Sequence, residues 1–97
     1  MIFAQLEYAE HYAEVHESLV SCLEDRFARV EEGLQGDSYI WIWLDGEKVA
    51  VDTFTAMKHE VKSERPGPHV VRVLDALKEH WTLRVYPEPE SEAHESD

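Results

Sequence analysis

The segment SYIWIWLDGEKVAV, Ser38 to Val51, constrains this chain more than any other. Asp45-Gly46 sits at its centre and is a strong two-residue hairpin signal, because a type I′ turn needs positive φ at both central positions. A two-residue turn also fixes register. Leu44 is then expected opposite Glu47, Trp43 opposite Lys48, Ile42 opposite Val49, Trp41 opposite Ala50, Ile40 opposite Val51, and Tyr39 opposite Asp52. One face of the hairpin carries Ile40, Ile42, Val49 and Val51 and reads as an ordinary core face. The other carries Tyr39, Trp41 and Trp43 beside Asp52, Ala50 and Lys48. That second face is aromatic but mixed with charge, so it does not read as a second dry core. Lys48 is expected to lie against Trp43.

The rest of the chain must cover the first face. Tyr8, Tyr12, Val15, Leu19, Leu23, Phe27 and Val30 follow one another at steps of three or four, which stacks them on one side of a helix. With Gly33 read as a terminating residue, the pattern predicts one helix from Gln5 to Glu32, about 40 Å long. Such a helix is longer than a domain of this size is wide. It would have to kink, project, or pack against a second chain. Between Asp52 and Lys62, Phe54, Met57 and Val61 match a helix, whereas Thr55, Met57, His59 and Val61 alternate as in a strand; Thr and Val favour the strand, and a third strand is predicted there. After the break at SERPGPH, with Pro68 in a first helical turn, Val70, Val73, Leu74 and Leu77 predict a helix from His69 to Glu79. Trp81 to Tyr86 predicts a last strand. If Leu83 faces inward, Arg84 and Tyr86 join the outer aromatic face. From Pro87 the composition turns acidic and nearly free of apolar residues, which predicts a disordered tail.

The expected fold class is therefore α+β. A long N-terminal helix and a shorter one pack on one face of an antiparallel sheet of three or four strands, in the order α-β-β-β-α-β. Residues 1–86 form a single domain and 87–97 the tail. The expected core is Leu19, Leu23, Phe27, Ile40, Ile42, Val49, Val51, Val73, Leu74, Leu77 and Leu83. A chain of 97 residues has room for one such core.

Charge narrows the partners. The formal net charge is −12 and no cluster of Lys and Arg occurs, which argues against nucleic acid and against an anionic membrane surface. A protein with a basic patch would be attracted. Cys22 is the sole cysteine, so no internal disulfide forms; it lies in the helical stripe and reads as a small core residue. The first residues lack a basic region and a long apolar run, so no signal peptide is expected, and a cytoplasmic location is.

No catalytic signature stands out. His11 and His16 are five apart and diverge on a helix, and no zinc-type spacing of His, Cys or Glu occurs. Ser18, Ser21 and Ser38 lack a nucleophile-elbow context, and the glycines form neither a P-loop nor a dinucleotide fingerprint. The sequence thus predicts neither cofactor nor metal, and no enzyme. It predicts a small interaction or regulatory module, of the kind an inhibitor or immunity protein represents, that meets a protein partner or a second copy of itself. The expected surface is Tyr39, Trp41, Trp43, Lys48, Arg84 and Tyr86. The alternative is a small-ligand binder or minor enzyme with a pocket between the long helix and the sheet, or over the outer aromatic face.

Overall fold

A computed structural model describes residues 1–91. The fold is α+β, with two helices and a six-stranded antiparallel sheet. Its elements are β1 (Ile2–Glu7), α1 (Tyr12–Arg26), β2 (Arg29–Gln35), β3 (Asp37–Leu44), β4 (Glu47–Asp52), β5 (Glu60–Lys62), α2 (Pro68–Lys78) and β6 (Thr82–Glu90). The strand order is β2-β3-β4-β5-β1-β6.

The hairpin stands as the turn chemistry requires. All six expected pairs, from Leu44 with Glu47 to Tyr39 with Asp52, form. Asp45 and Gly46 take φ of 53° and 75°, the positive values of a type I′ turn.

The single helix expected over residues 5–32 is instead three elements. Ile2, Phe3, Ala4 and Leu6 are buried, the near-continuous apolar run of a strand deep in a sheet, and β1 lies between β5 and β6. The helix begins where His11 caps it. The Ala13 N–H donates to His11 Nδ1, and the His11 N–H donates to Glu14 Oε2, a reciprocal capping box. It ends at Arg26, with Phe27 already extended. At 15 residues it is about 22 Å long. It fits inside a body of 34 × 27 × 23 Å, and no second chain is needed to support a projecting end.

Gly33 is a strand residue and not a helix terminator. Its place in β2 is opposite Tyr39, and a Cβ there would come within 2.5 Å of the Tyr39 ring. The missing side chain is what lets that ring lie across the strand.

The third strand expected over 52–62 shrinks to β5, three residues long. Asp52 Oδ1 accepts from the Phe54 N–H and the Ala56 N–H donates to the Thr53 carbonyl, so the chain turns as soon as β4 ends. Phe54 and Met57 are left exposed. The second helix and last strand occur close to where they are expected, although β6 continues to Glu90. Of the expected tail, residues 87–90 therefore belong to β6, and 92–97 lie outside the described residues.

Both helices cover one face. Leu19, Leu23, Val73 and Leu77 meet Ile40, Ile42, Val49, Val51 and Val61, all without solvent exposure. Every residue of the expected core is buried except Leu83, which is half-buried at its margin. Burial at about 25 cal/mol per Å² of apolar surface is the main force holding helices to sheet. Among the described residues no helix is long and apolar enough to cross a membrane.

Candidate functional site

Among the described residues no helix or strand covers the other face of the sheet, and there the aromatic residues gather. Tyr39, Trp41 and Trp43 alternate on β3, so strand geometry puts all three on this face. The Tyr39 and Trp41 ring centroids are 4.7 Å apart, and Trp41 meets Trp43 edge-on at 6.2 Å. Phe54, from the loop after β4, stacks on Tyr39 at 6.2 Å. The result is one stripe, Trp43–Trp41–Tyr39–Phe54, with the three β3 rings half-buried and Phe54 exposed.

Cations lie on the stripe. The Lys48 ammonium sits 4.6 Å from the Trp41 ring centroid, not over Trp43 as expected; the Trp43 face is taken by the Arg29 guanidinium at 4.5 Å. Lys48 is paired with Trp43, yet its long stem reaches the diagonal neighbour, a distance within range on a pleated face. Each contact is worth about 0.5–1 kcal/mol at an exposed site. Beside the stripe, Lys62 Nζ donates to Asp52 Oδ1 at 2.7 Å and to Thr55 Oγ1 at 3.0 Å, and the Lys62 and Asp52 side chains are almost wholly buried. A groove of about 670 Å³ runs over this region, lined among others by Trp41, Trp43, Asp52, Phe54, Lys62 and Arg65. It lies over the outer face and not between helix and sheet.

Four of the six expected surface residues, Tyr39, Trp41, Trp43 and Lys48, come together. Arg84 and Tyr86 do not join them. Arg84 bonds Gln5 and lies over the Tyr86 ring, on the same face but on β6. Four strand spacings separate β3 from β6, about 19 Å.

A second constellation escaped the sequence entirely. Tyr8, His16, Glu32, Ser38 and His59 form one hydrogen-bonded chain through the core. The Tyr8 hydroxyl is 2.7 Å from His59 Nδ1, and His59 Nε2 is 2.7 Å from Ser38 Oγ. Ser38 Oγ is 2.5 Å from His16 Nδ1, and His16 Nε2 is 2.7 Å from Glu32 Oε1. One proton assignment satisfies every member. His16 Nε2–H donates to the Glu32 carboxylate, Ser38 donates to His16, His59 Nε2–H donates to Ser38, and Tyr8 donates to His59. The Tyr8 oxygen in turn accepts the His59 backbone N–H at 3.1 Å. Burial, and secondarily the neighbouring His16, push the His59 pKa down to about 4, so the His59 ring is neutral at pH 7, as this assignment requires. Burial raises the Tyr8 phenol above its ordinary value, against the lowering effect of the His59 N–H. Glu32, His16 and Ser38 stand in the order of a hydrolase triad, but Ser38 has no solvent exposure and its oxygen already serves both imidazoles. It is not presented to a substrate. The chain ties five separate segments together.

Cys22 lines a second groove, along α1 and His80–Trp81, together with Glu10, Glu14, Glu17 and Asp25. Burial pushes its thiol up, which disfavours the reactive thiolate. Among the described residues no group of three or more His, Cys, Asp or Glu is placed to hold a metal ion. The chain matches no protein-family model, no curated protein and no solved structure.

Proposed function

We propose that this chain is a non-enzymatic protein-interaction module whose outer sheet face docks a protein, and that the protein is a second copy of itself. The observation that carries this is the stripe Trp43–Trp41–Tyr39–Phe54, over which no described helix or strand lies, with Arg29 and Lys48 over its indoles. Trp, Tyr and Arg are the residue types that dominate interface energetics, and contiguous apolar surface of this kind marks interaction sites. Charge along the stripe favours a second copy. Arg29 lies over Trp43 and Lys48 over Trp41, whereas Asp37 lies at the Tyr39 end, where Asp52 is buried and already paired with Lys62. Two such faces related by a two-fold axis set the cationic end of one against the acidic end of the other.

Fluorescence quenching tests it in a Trp81→Phe background, which leaves only Trp41 and Trp43 to report. Acrylamide is expected to quench poorly at high protein concentration and well after dilution. Strong quenching that does not change with concentration contradicts self-association.

The groove over the same face supports a second reading, small-ligand binding. Its volume of about 670 Å³ is within the 300–1,000 Å³ usual for ligand pockets. That reading requires a monomer with the groove open, so the same dilution series separates the two.

A further inference from the structure

We propose that the free edge of β2 accepts an extended basic peptide segment as a seventh strand. The surface involved is the rim of the sheet and not its aromatic face.

The two rims differ. At the β6 rim, Pro87 and Pro89 offer no N–H to an incoming strand, and the pairing of β6 with β1 shifts register between Ile2 and Ala4. The β2 rim has neither device. All seven residues pair with β3 in unbroken register, from Arg29 with Trp43 to Gln35 with Asp37, and the strand contains no proline.

Hydrogen bonding shows which backbone groups face outward. The Ser38 carbonyl accepts the Thr53 N–H, and the Ser38 N–H donates to Thr53 Oγ1. Ser38 therefore turns both groups towards β4. By strand alternation, Asp37, Tyr39, Trp41 and Trp43 are the β3 residues that bond β2, through Gln35, Gly33, Glu31 and Arg29. Val30, Glu32 and Leu34 are left with N–H and C=O pointing away from the sheet. Among the described residues no other backbone or side-chain bond uses them. Three consecutive outward residues form a ladder ready for strand addition.

Side chains along that ladder define the occupant. Val30 and Leu34 flank Glu32 on the helix side, with Leu34 41% exposed and the Glu32 side chain 42% exposed. Glu31 lies on the opposite side and is exposed. The register that pairs all seven residues of β2 with a second β2 sets Glu32 directly against Glu32, and like charges opposite one another are destabilising. The same two acids, in a chain of net charge −12, attract a strand bearing Lys or Arg opposite them and apolar residues opposite Val30 and Leu34.

The probe is the labelled peptide Thr-Val-Thr-Lys-Lys-Val-Glu, which matches β2 antiparallel from Gln35 to Arg29, titrated against the whole protein by fluorescence anisotropy. Saturable binding is expected. Replacing its two Lys by Glu should weaken binding by about tenfold or more, from two cross-strand ion pairs turned to repulsion. N-methylation of the peptide amides that face β2 should abolish it. Leu34→Pro removes an outward N–H without touching a bond to β3 and should abolish binding while the circular dichroism spectrum is kept. If that variant unfolds, the N-methylated peptide on the wild-type protein decides alone. No saturable binding at millimolar peptide, or binding that survives N-methylation, overturns the proposal. So does binding lost in Trp41→Thr/Trp43→Lys but not in Leu34→Pro, because the peptide would then occupy the aromatic face.

Discussion

One hairpin carries two faces of opposite chemistry. Inward, Ile40, Ile42, Val49 and Val51 have no solvent exposure and meet both helices. Outward, Tyr39, Trp41 and Trp43 are larger and richer in apolar area, yet only half-buried, and their neighbours are Lys48, Ala50 and Asp52. Area alone would rank the outer face first. What differs is complementarity: α1 and α2 bring matching apolar stripes to the inner face, and no described element brings one to the outer face. The inner face specifies the fold, and the outer face is the one we propose for association.

That contrast can be broken by mutation. Ile42→Ala on the inner face is expected to cost about 2–5 kcal/mol, from lost burial and the cavity left behind. Trp41→Thr with Trp43→Lys removes more atoms but should cost the monomer less. Urea denaturation of both variants compares them, and an outer-face cost equal to or above the inner one would place the indoles in the monomer core.

The buried polar chain gives a second contrast, with apolar burial itself. Ser38→Ala leaves one nitrogen on each of His16 and His59 without its partner, at about 1–3 kcal/mol for each. Its pH dependence has a fixed sign. Folded His59 takes its proton near pH 4, against 6.5 for the ordinary imidazole. Between these values the unfolded chain binds a proton that the folded chain does not. The His59 contribution is therefore complete above pH 6.5 and is lost as the pH falls towards 4. It corresponds to roughly 3 kcal/mol at about 1.4 kcal/mol per pH unit. The difference in urea midpoint between pH 7 and pH 4.5 should be smaller in His59→Gln than in the wild type. Equal differences would mean that His59 is not held neutral.

The turn that sets both faces offers a smaller effect. Gly46 has φ of 75° with open space around it, so Gly46→Val meets no clash and suffers only backbone strain, about 1–3 kcal/mol. An unchanged urea midpoint would show that the turn does not need its positive φ.

The hairpin was legible because its information is local: Asp45-Gly46 fixes the turn, the turn fixes register, and register sorts the faces. The N-terminal third was not, because its boundaries are set from outside. Tyr8 before α1, and Phe27 and Val30 after it, continue its spacing by coincidence, His11 is an uncommon cap, and no Gly or Pro marks the end at Arg26. Glu31 and Glu32 favour a helix locally but are carried into a strand by pairing with β3, an override that tertiary contacts commonly impose. The aromatic stripe could be read from alternation, but Phe54 and Arg29 could not be added to it while their segments were misassigned. Arg84 and Tyr86 share its face, yet strand order, which the sequence does not display, sets them at the far side. The buried chain was hidden for the same reason: Tyr8, His16, Glu32, Ser38 and His59 share no spacing, and they meet only once five segments have packed.

Self-association through the outer face is the central claim, and light scattering measures it directly. The wild-type protein is expected to have twice the mass of one chain, and Trp41→Thr/Trp43→Lys the mass of one chain with its circular dichroism spectrum retained. A wild type that remains at the mass of one chain at high concentration, or a folded double variant that keeps the doubled mass, would contradict it.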